Sequence, residues 1–246
     1  MRLFLVAVFL AVGCSSQFDS SENSITVFAA ASLTDALHEL VRLFELQQPR
    51  TIVNLHIGPT SLLARQIQQG APADIFMSAS PEWTNYLRQQ NLIKEKEINF
   101  AKNTLVVLGT PATPAITDLS ELTTNQKLAM ADPLHVPAGI YGKHALECAG
   151  KWNAMESSII PTLDVRAALA ALSSGAADLA IVYGSDVGLV PELKFMFQVP
   201  DSCMPEINYV ISTLQRTANL DAAIAFVDFV TDSLQLNLWT KFGFSS

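Results

Sequence analysis

The chain has 246 residues, of which 50% are hydrophobic, and its 15 basic and 23 acidic residues give a formal net charge of −8. This composition is typical of a globular protein, and the length suits one large domain or two modest ones. An acidic balance without a basic patch argues against nucleic acid as a partner.

The start of the chain predicts a signal peptide that ends at Cys14. A positively charged residue, Arg2, is followed by ten apolar residues, 3–12, and then by a glycine and Cys14. Because a membrane-spanning helix needs roughly 20 apolar residues, we interpret this run as a cleaved signal. Residues 11–14 resemble a bacterial lipobox, which predicts that Cys14 is lipidated and that residues 15–24 form a tether. The exported protein would then be anchored at the periplasmic side of a bacterial membrane. An ordinary secretory signal with an unmodified cysteine is the alternative.

The first predicted strand runs into a helix at a point suited to an anion. Residues 25–28 predict a buried strand, and the alanines 29–31 follow it. From Ser32 onward apolar residues recur at helical spacing, and Ser32 with Asp35 resembles a capping box. A strand, a tight turn and a helix start place exposed N–H groups and a hydroxyl together, which is the geometry of an anion site. In the alternative interpretation, Ser32 only caps its helix.

Predicted strands and helices alternate from here on, which is typical of an α/β protein with parallel strands. One unit contains a helix at residues 62–69 and a strand at 75–77, and a later unit contains a helix at 165–172 and a strand at 179–183. In both units a glycine ends the helix and an aspartate precedes the strand. This repetition fits a protein with one such unit in each of two lobes, although chance similarity in alanine-rich sequence is the alternative.

Two further predicted strands divide the chain. We interpret the strands at 103–109 and 207–212 as the two hinge strands that cross between the lobes, an arrangement that allows closure around a ligand. The final segment, 221–244, is expected to pack on the first lobe as an amphipathic helix. The predicted bounds are residues 25–103 plus 207–246 for lobe 1 and residues 104–206 for lobe 2.

Motifs for catalysis or nucleotide binding are incomplete in this sequence. The spacing of a phosphate-binding loop is missing around Gly142-Lys143. Residues 184–188 do not match the Gly-x-Ser-x-Gly motif of serine hydrolases. The four histidines show no metal-ligand spacing. An exported enzyme would have to use Tyr183, His135 or Asp132, for which no nucleophile–base pair stands out.

Cys148 and Cys203 are the only cysteines besides Cys14. Export makes a disulfide between them chemically allowed, and two buried free thiols are the alternative.

Several motifs together carry a resemblance to a known family. They are residues 27–34, 63–67, 70–74, 135–141, 164–166, 181–186 and the ending 242–244. On these the chain resembles the periplasmic molybdate-binding proteins of ABC importers. The resemblance implies an α/β, two-lobed type II periplasmic-binding-protein fold, with two mixed sheets flanked by helices and joined by two crossing hinge strands. It also implies a monomer that binds molybdate or tungstate between the lobes and delivers it to a membrane permease and its ATPase.

The resemblance also implies which residues bind the anion. Ser32 and Thr60 would donate from hydroxyl and backbone N–H, Ala138 and Val165 from backbone N–H, and Tyr183 from its phenol. The family usually has a run of serines where this chain has Gly58-Pro59-Thr60-Ser61. Counting back from Leu63 places Thr60 at the ligand position, and Ser61 is the substitute if the turn is shifted by one residue.

The expected contacts are all uncharged donors. No cofactor is expected, and no protein atom is expected to bind molybdenum directly, because the anion is a transported ligand held by its oxygens. Such a site suits a dianion whose lone pairs must be satisfied when it is buried. The same fold could instead bind another tetrahedral oxyanion such as sulfate, and cavity size would then decide the preference.

Overall fold

The computed structural model describes residues 23–94 and 97–245. The predicted signal peptide and the lipidation site at Cys14 lie outside these ranges. The predicted tether ends two residues too late, because the first strand begins at Asn23 rather than at Ile25. In the described ranges, no helix combines the length and apolarity needed to cross a membrane.

The chain alternates strands and helices in the predicted way. The strands are β1 Asn23–Ala30, β2 Thr51–Gly58, β3 Ile75–Ser78, β4 Ile98–Asn103, β5 Leu105–Gly109, β6 Leu128–Ala131, β7 Ile159–Thr162, β8 Leu179–Tyr183, β9 Lys194–Gln198 and β10 Ile207–Thr213. The helices are α1 Thr34–Gln47, α2 Thr60–Gln68, α3 Pro81–Gln89, α4 Pro137–Cys148, α5 Trp152–Met155, α6 Val165–Ser173, α7 Leu220–Thr231 and α8 Leu236–Lys241.

The strands form two five-stranded mixed sheets, which confirms the predicted fold class. The first sheet has the order β2-β1-β3-β10-β4, and the second has the order β7-β6-β8-β5-β9. In the first sheet β1 is parallel to β2 and β3, while β10 is antiparallel to β3 and β4. The second sheet repeats this arrangement, with β6 parallel to β7 and β8, and β5 antiparallel to β8 and β9. We call the first sheet with its helices lobe 1 and the second lobe 2.

The lobes are joined where the chain passes from one sheet to the other. The first connection is a single residue, Thr104, between β4 and β5. The predicted crossing strand at 103–109 is therefore two strands, of which the first starts at Ile98. The second connection is the segment 199–206 between β9 and β10. Cys203 in this segment is bonded to Cys148 at the end of α4, with the two Cα atoms 5.4 Å apart.

The C-terminal segment packs on lobe 1, but it is not the single helix expected over residues 221–244. The helix α7 ends at Thr231, and Asp232 then adopts an extended conformation in which its carboxylate accepts a hydrogen bond from Leu234 N–H. The helix α8 begins only at Leu236. The capping carboxylate of Asp232 satisfies the backbone of the new turn, which favours an interruption over a continuous helix.

Candidate oxyanion site

The five residues predicted to bind the anion line one cavity between the lobes. The cavity lies at the carboxyl ends of β1, β2 and β8, where ligands of open α/β sheets bind. The described residues that line it are Ala30, Ala31, Ser32, Gly58, Pro59, Thr60 and Ala79 from lobe 1, and Val136, Pro137, Ala138, Asp164, Val165 and Tyr183 from lobe 2. The volume open to the centre of a water-sized sphere is about 20 Å³. A single water needs roughly 10–15 Å³ on the same measure, so the space suits a compact ligand of a few atoms.

Ser32 lies in a short 3₁₀ turn that follows β1, and it does not cap α1. The turn covers Ala31–Leu33, so the α-helix starts at Thr34, two residues later than expected. The Ser32 hydroxyl is hydrogen bonded to the Tyr209 hydroxyl at 2.8 Å. The predicted capping box with Asp35 is therefore wrong, because the 3₁₀ turn moves Ser32 away from the helix start and Tyr209 engages its oxygen.

Thr60 is the first residue of α2 and is buried. Its oxygen accepts a hydrogen bond from Ala79 N–H at 3.3 Å, so its own proton is available for another acceptor. Ser61 is also buried, but it is not one of the described residues that line the cavity, and its hydroxyl has no partner there. The geometry therefore favours Thr60 over the alternate Ser61, and a Thr60 contact with an anion stays a prediction.

Ala138 and Val165 bring the starts of two helices to the cavity. Pro137 opens α4, where a missing N–H costs nothing, and Ala138 follows it. A side chain at Gly139 would overlap the carbonyl oxygens of Ala131 and Asp132, so only glycine allows this helix start to pack so closely on the end of β6. The first N–H groups of a helix have no partner within the helix, and they favour a negative charge.

The start of α6 is fixed by its own cap. Asp164 is extended, and its carboxylate accepts a hydrogen bond from Ala167 N–H at 2.9 Å. Val165 is the first residue of the helix, so its N–H has no partner within the helix. Asp164 is the one charged residue among the described cavity-lining residues, and its oxygen Oδ1 is occupied by the cap.

Tyr183 ends β8 and is almost completely buried, with 1% of its surface exposed. Its hydroxyl has no hydrogen-bond partner among the residues that the structure describes. Burial is the main cause that raises the pKa of this phenol well above its ordinary value, so the hydroxyl keeps its proton. An unpartnered buried hydroxyl costs free energy, and a ligand oxygen in the cavity would satisfy it.

Arg166 links the lobes beside the cavity and was missed by the sequence analysis. From α6 its guanidinium donates a hydrogen bond to the backbone oxygen of Ser32 at 3.2 Å and lies 2.8 Å from the carboxylate of Asp35, both in lobe 1. It also lies 2.8 Å from the buried carboxylate of Asp186. In both pairs, Arg166 with Asp35 and Arg166 with Asp186, opposite charges are close together. The geometry of a hydrogen bond is not met at the closest carboxylate oxygens. Burial raises the pKa of Asp186 to about 6, while Arg166 opposes the rise.

A second contact between the lobes is made at His135, which with Asp132 is one of the residues that an exported enzyme would have to use. The indole N–H of Trp83, on α3, donates to the carbonyl of His135 at 3.1 Å. The His135 ring lies 3.8 Å from the Asp132 carboxylate, and both side chains are partly exposed. Neither residue is among the described residues that line the cavity with Tyr183. Within the described ranges, no group of three metal-binding side chains is present.

Comparison with known proteins identifies the family. A family model described as "Bacterial extracellular solute-binding protein" matches residues 25–245. The molybdate-binding protein ModA of Escherichia coli (strain K12) is 34% identical over 92% of this chain and 90% of its own length. ModA of Haemophilus influenzae is 32% identical over 96% of this chain and 95% of its own length. The structure of the Azotobacter vinelandii periplasmic molybdate-binding protein shares the fold, with a TM-score of 0.82 at 20% identity over 90% of this chain and 99% of that one. The chain therefore belongs to the bacterial extracellular solute-binding proteins, a family of binding proteins rather than enzymes.

Proposed function

We propose that this protein binds molybdate, and also tungstate, in the cavity between its lobes and delivers it to the permease and ATPase of an ABC importer. The observation that carries the proposal is the convergence of Ser32, Thr60, Ala138, Val165 and Tyr183 on one small cavity. Relatives named for molybdate binding support the choice of ligand. A lipid anchor at Cys14 and action as a monomer belong to the same proposal.

The donor set suits a tetrahedral dianion. Three hydroxyls and four backbone N–H groups from these five residues would provide about seven charge-assisted hydrogen bonds, each contributing about 1.5–3 kcal/mol net. Bonds of this number and kind can offset the desolvation of a small doubly charged ion. Uncharged donors also leave no unpaired cation behind when the lobes open and the ion is released.

The same arrangement favours some anions over others. Hydrogen phosphate carries a proton at neutral pH and needs an acceptor, which the seven proposed donor contacts do not include. Sulfate has the same shape and charge as molybdate, so the size of the cavity must separate the two. The net charge of the protein is negative, and long-range attraction therefore does not assist capture.

Thermal unfolding of the purified protein tests the proposal. Molybdate or tungstate at about a thousand times its dissociation constant should add about 4 kcal/mol to the free energy of unfolding. Sodium chloride of equal ionic strength serves as the control for general salt effects. Stabilisation by sulfate alone would replace molybdate with sulfate as the ligand, and no stabilisation by molybdate, tungstate, sulfate or phosphate would overturn the proposal.

A further inference from the structure

A chain of buried polar groups runs from the connection between the lobes to the cavity. Asn103 is the last residue of β4, and its side-chain amide nitrogen lies 3.3 Å from the hydroxyl of Tyr209 on β10. The Tyr209 hydroxyl lies 2.8 Å from the hydroxyl of Ser32 at the cavity. Tyr209 is fully buried, and Asn103 and Ser32 are 8% and 2% exposed. The chemistry of these groups determines which one donates and which one accepts in each hydrogen bond.

The amide of Asn103 can be oriented in only one way. Its oxygen accepts from the backbone N–H of Thr104 at 2.9 Å and from the backbone N–H of Ser185 at 3.3 Å. Backbone N–H groups only donate, so the atom that faces them must be the amide oxygen. The amide nitrogen consequently faces Tyr209 and the Ser185 hydroxyl, to which it donates at 2.9 Å.

This orientation fixes the next two bonds. The Tyr209 oxygen accepts from Asn103, and among the described residues the Ser32 oxygen is the one acceptor within reach of the Tyr209 proton. The buried Tyr209 proton is therefore satisfied only when it is directed to Ser32. Burial is the main cause that raises the pKa of the Tyr209 phenol, so this proton is retained. Among the described residues Ser32 has no other side-chain hydrogen-bond partner. Its own proton is therefore left for an acceptor within the cavity.

We propose that Asn103 and Tyr209 are positioning residues that hold Ser32 as a hydrogen-bond donor towards the bound anion. The inference rests on the proposed function, since the anion is the acceptor. Tyr209 also packs its ring against the rings of Phe244 and Tyr183, so the test must keep the ring and remove only the hydroxyl.

A double-mutant cycle with Tyr209→Phe and Ser32→Ala, followed by calorimetric titration with molybdate, tests the inference. We expect Tyr209→Phe to weaken binding about tenfold in the wild-type background, the effect of roughly one hydrogen bond. In the Ser32→Ala background the same change should have no further effect, because Tyr209 acts through Ser32. A role in packing alone would weaken binding equally in both backgrounds. The matched control is Tyr86→Phe, which removes a hydroxyl bonded to Gln68 away from the cavity and should leave affinity unchanged.

Unchanged affinity in Tyr209→Phe, or an equal loss in both backgrounds, would overturn the inference. If Tyr209→Phe fails to fold, Asn103→Asp replaces it in the cycle. Its carboxylate accepts the Tyr209 proton, so Tyr209 no longer donates to Ser32, and the Tyr209 oxygen competes with the anion for the Ser32 proton. The general effect of the new charge is the same in both backgrounds, and we expect the loss to be larger where Ser32 is present. An equal loss would reject the inference. A wild-type protein that binds none of the oxyanions would reject the proposed function instead, which is a separate outcome.

Discussion

Both lobes bring hydroxyl and backbone N–H groups to the cavity, but in different proportions and with different support. Lobe 1 provides side-chain hydroxyls, from Ser32 and Thr60, whose oxygens are held by Tyr209 and by Ala79 N–H. Lobe 2 provides the starts of α4 and α6 and the phenol of Tyr183. The helix starts are set by neighbours in sequence, whereas the hydroxyls depend on residues far away along the chain. The hydroxyl donors of lobe 1 can therefore be lost through a distant substitution, whereas the backbone donors of lobe 2 depend on the helix start itself.

Arg166 joins the two halves, and its removal is expected to have the largest effect. Arg166→Ala leaves the buried carboxylate of Asp186 without its cation, and breaking a buried pair in this way costs about 3–5 kcal/mol. Urea unfolding of the protein without ligand measures the loss. The control is Arg42→Ala, which breaks an exposed pair with Glu39 on α1 and should cost at most about 1 kcal/mol.

The effect of Arg166→Ala should also depend on pH. The pKa of Asp186 is about 6 in the folded protein against 3.8 for an exposed carboxyl, so the folded state binds the proton more tightly. Stability is therefore lost as the pH rises through this window and Asp186 ionises in the folded protein. Without Arg166 the charged form is opposed further, so the loss should be larger at about pH 8 than at about pH 5. A loss independent of pH would show that Asp186 is not the group left unpaired.

One of the two proposed backbone donors of lobe 2 can be removed by Val165→Pro. Val165 is the first residue of α6, where proline is well tolerated, and the extended Asp164 before it suits a following proline. The substitution removes one N–H that is proposed to bind the anion, and the loss of a charge-assisted bond of about 1.5–3 kcal/mol should weaken molybdate binding roughly ten- to a hundredfold.

Val165→Ala is the matched control, because it removes most of the side chain and keeps the N–H. Its molybdate affinity, measured by calorimetry, should remain close to that of the wild type. If proline and alanine weaken binding equally, the side chain of Val165 matters and the backbone N–H does not.

The same difference between the lobes explains what the sequence could predict. The helix predicted at 165–172 has a local signal in the glycine that follows it, and the structure contains this helix as α6, from Val165 to Ser173. The strand 179–183 was also predicted with the bounds that the structure has, since an apolar run between a glycine and a second glycine is a local pattern.

The supporting contacts of Ser32 were not predicted, because their partners are distant in sequence. Tyr209 is 177 residues from Ser32, and Asn103 is 106 residues from Tyr209. No local pattern links such positions, and the nearest local partner of Ser32, Asp35, suggested a capping box that the structure does not contain. Arg166 belongs to one of the family motifs, but its position between two carboxylates depends on how the lobes meet.

Among the described residues that line the cavity from lobe 2, Tyr183 is the one with a side-chain donor, and Tyr183→Phe is expected to separate binding from stability. Its hydroxyl is buried without a described partner, so removing it should leave the unliganded protein at least as stable as the wild type in urea unfolding. Molybdate affinity should fall by about tenfold, because one donor to the anion is lost. Unchanged affinity would remove Tyr183 from the site, and a large loss of stability without ligand would mean that its hydroxyl serves the fold.

The smallest effect is expected at Ser61, which tests whether the hydroxyl donors of lobe 1 are assigned correctly. Ser61 follows Thr60 in the first turn of α2, but only Thr60 is among the described residues that line the cavity. Ser61→Ala removes a buried hydroxyl that has no partner in the described part of the chain, so molybdate affinity should stay within about twofold of the wild type.

Thr60→Val, which keeps the shape and removes the hydroxyl, should weaken binding by about tenfold in the same titration. If the two results are exchanged, the turn is shifted by one residue when the anion binds. The start of α2 would then have to rearrange on closure, unlike the helix starts of lobe 2, which are fixed by a proline and by a capping aspartate before any ligand arrives.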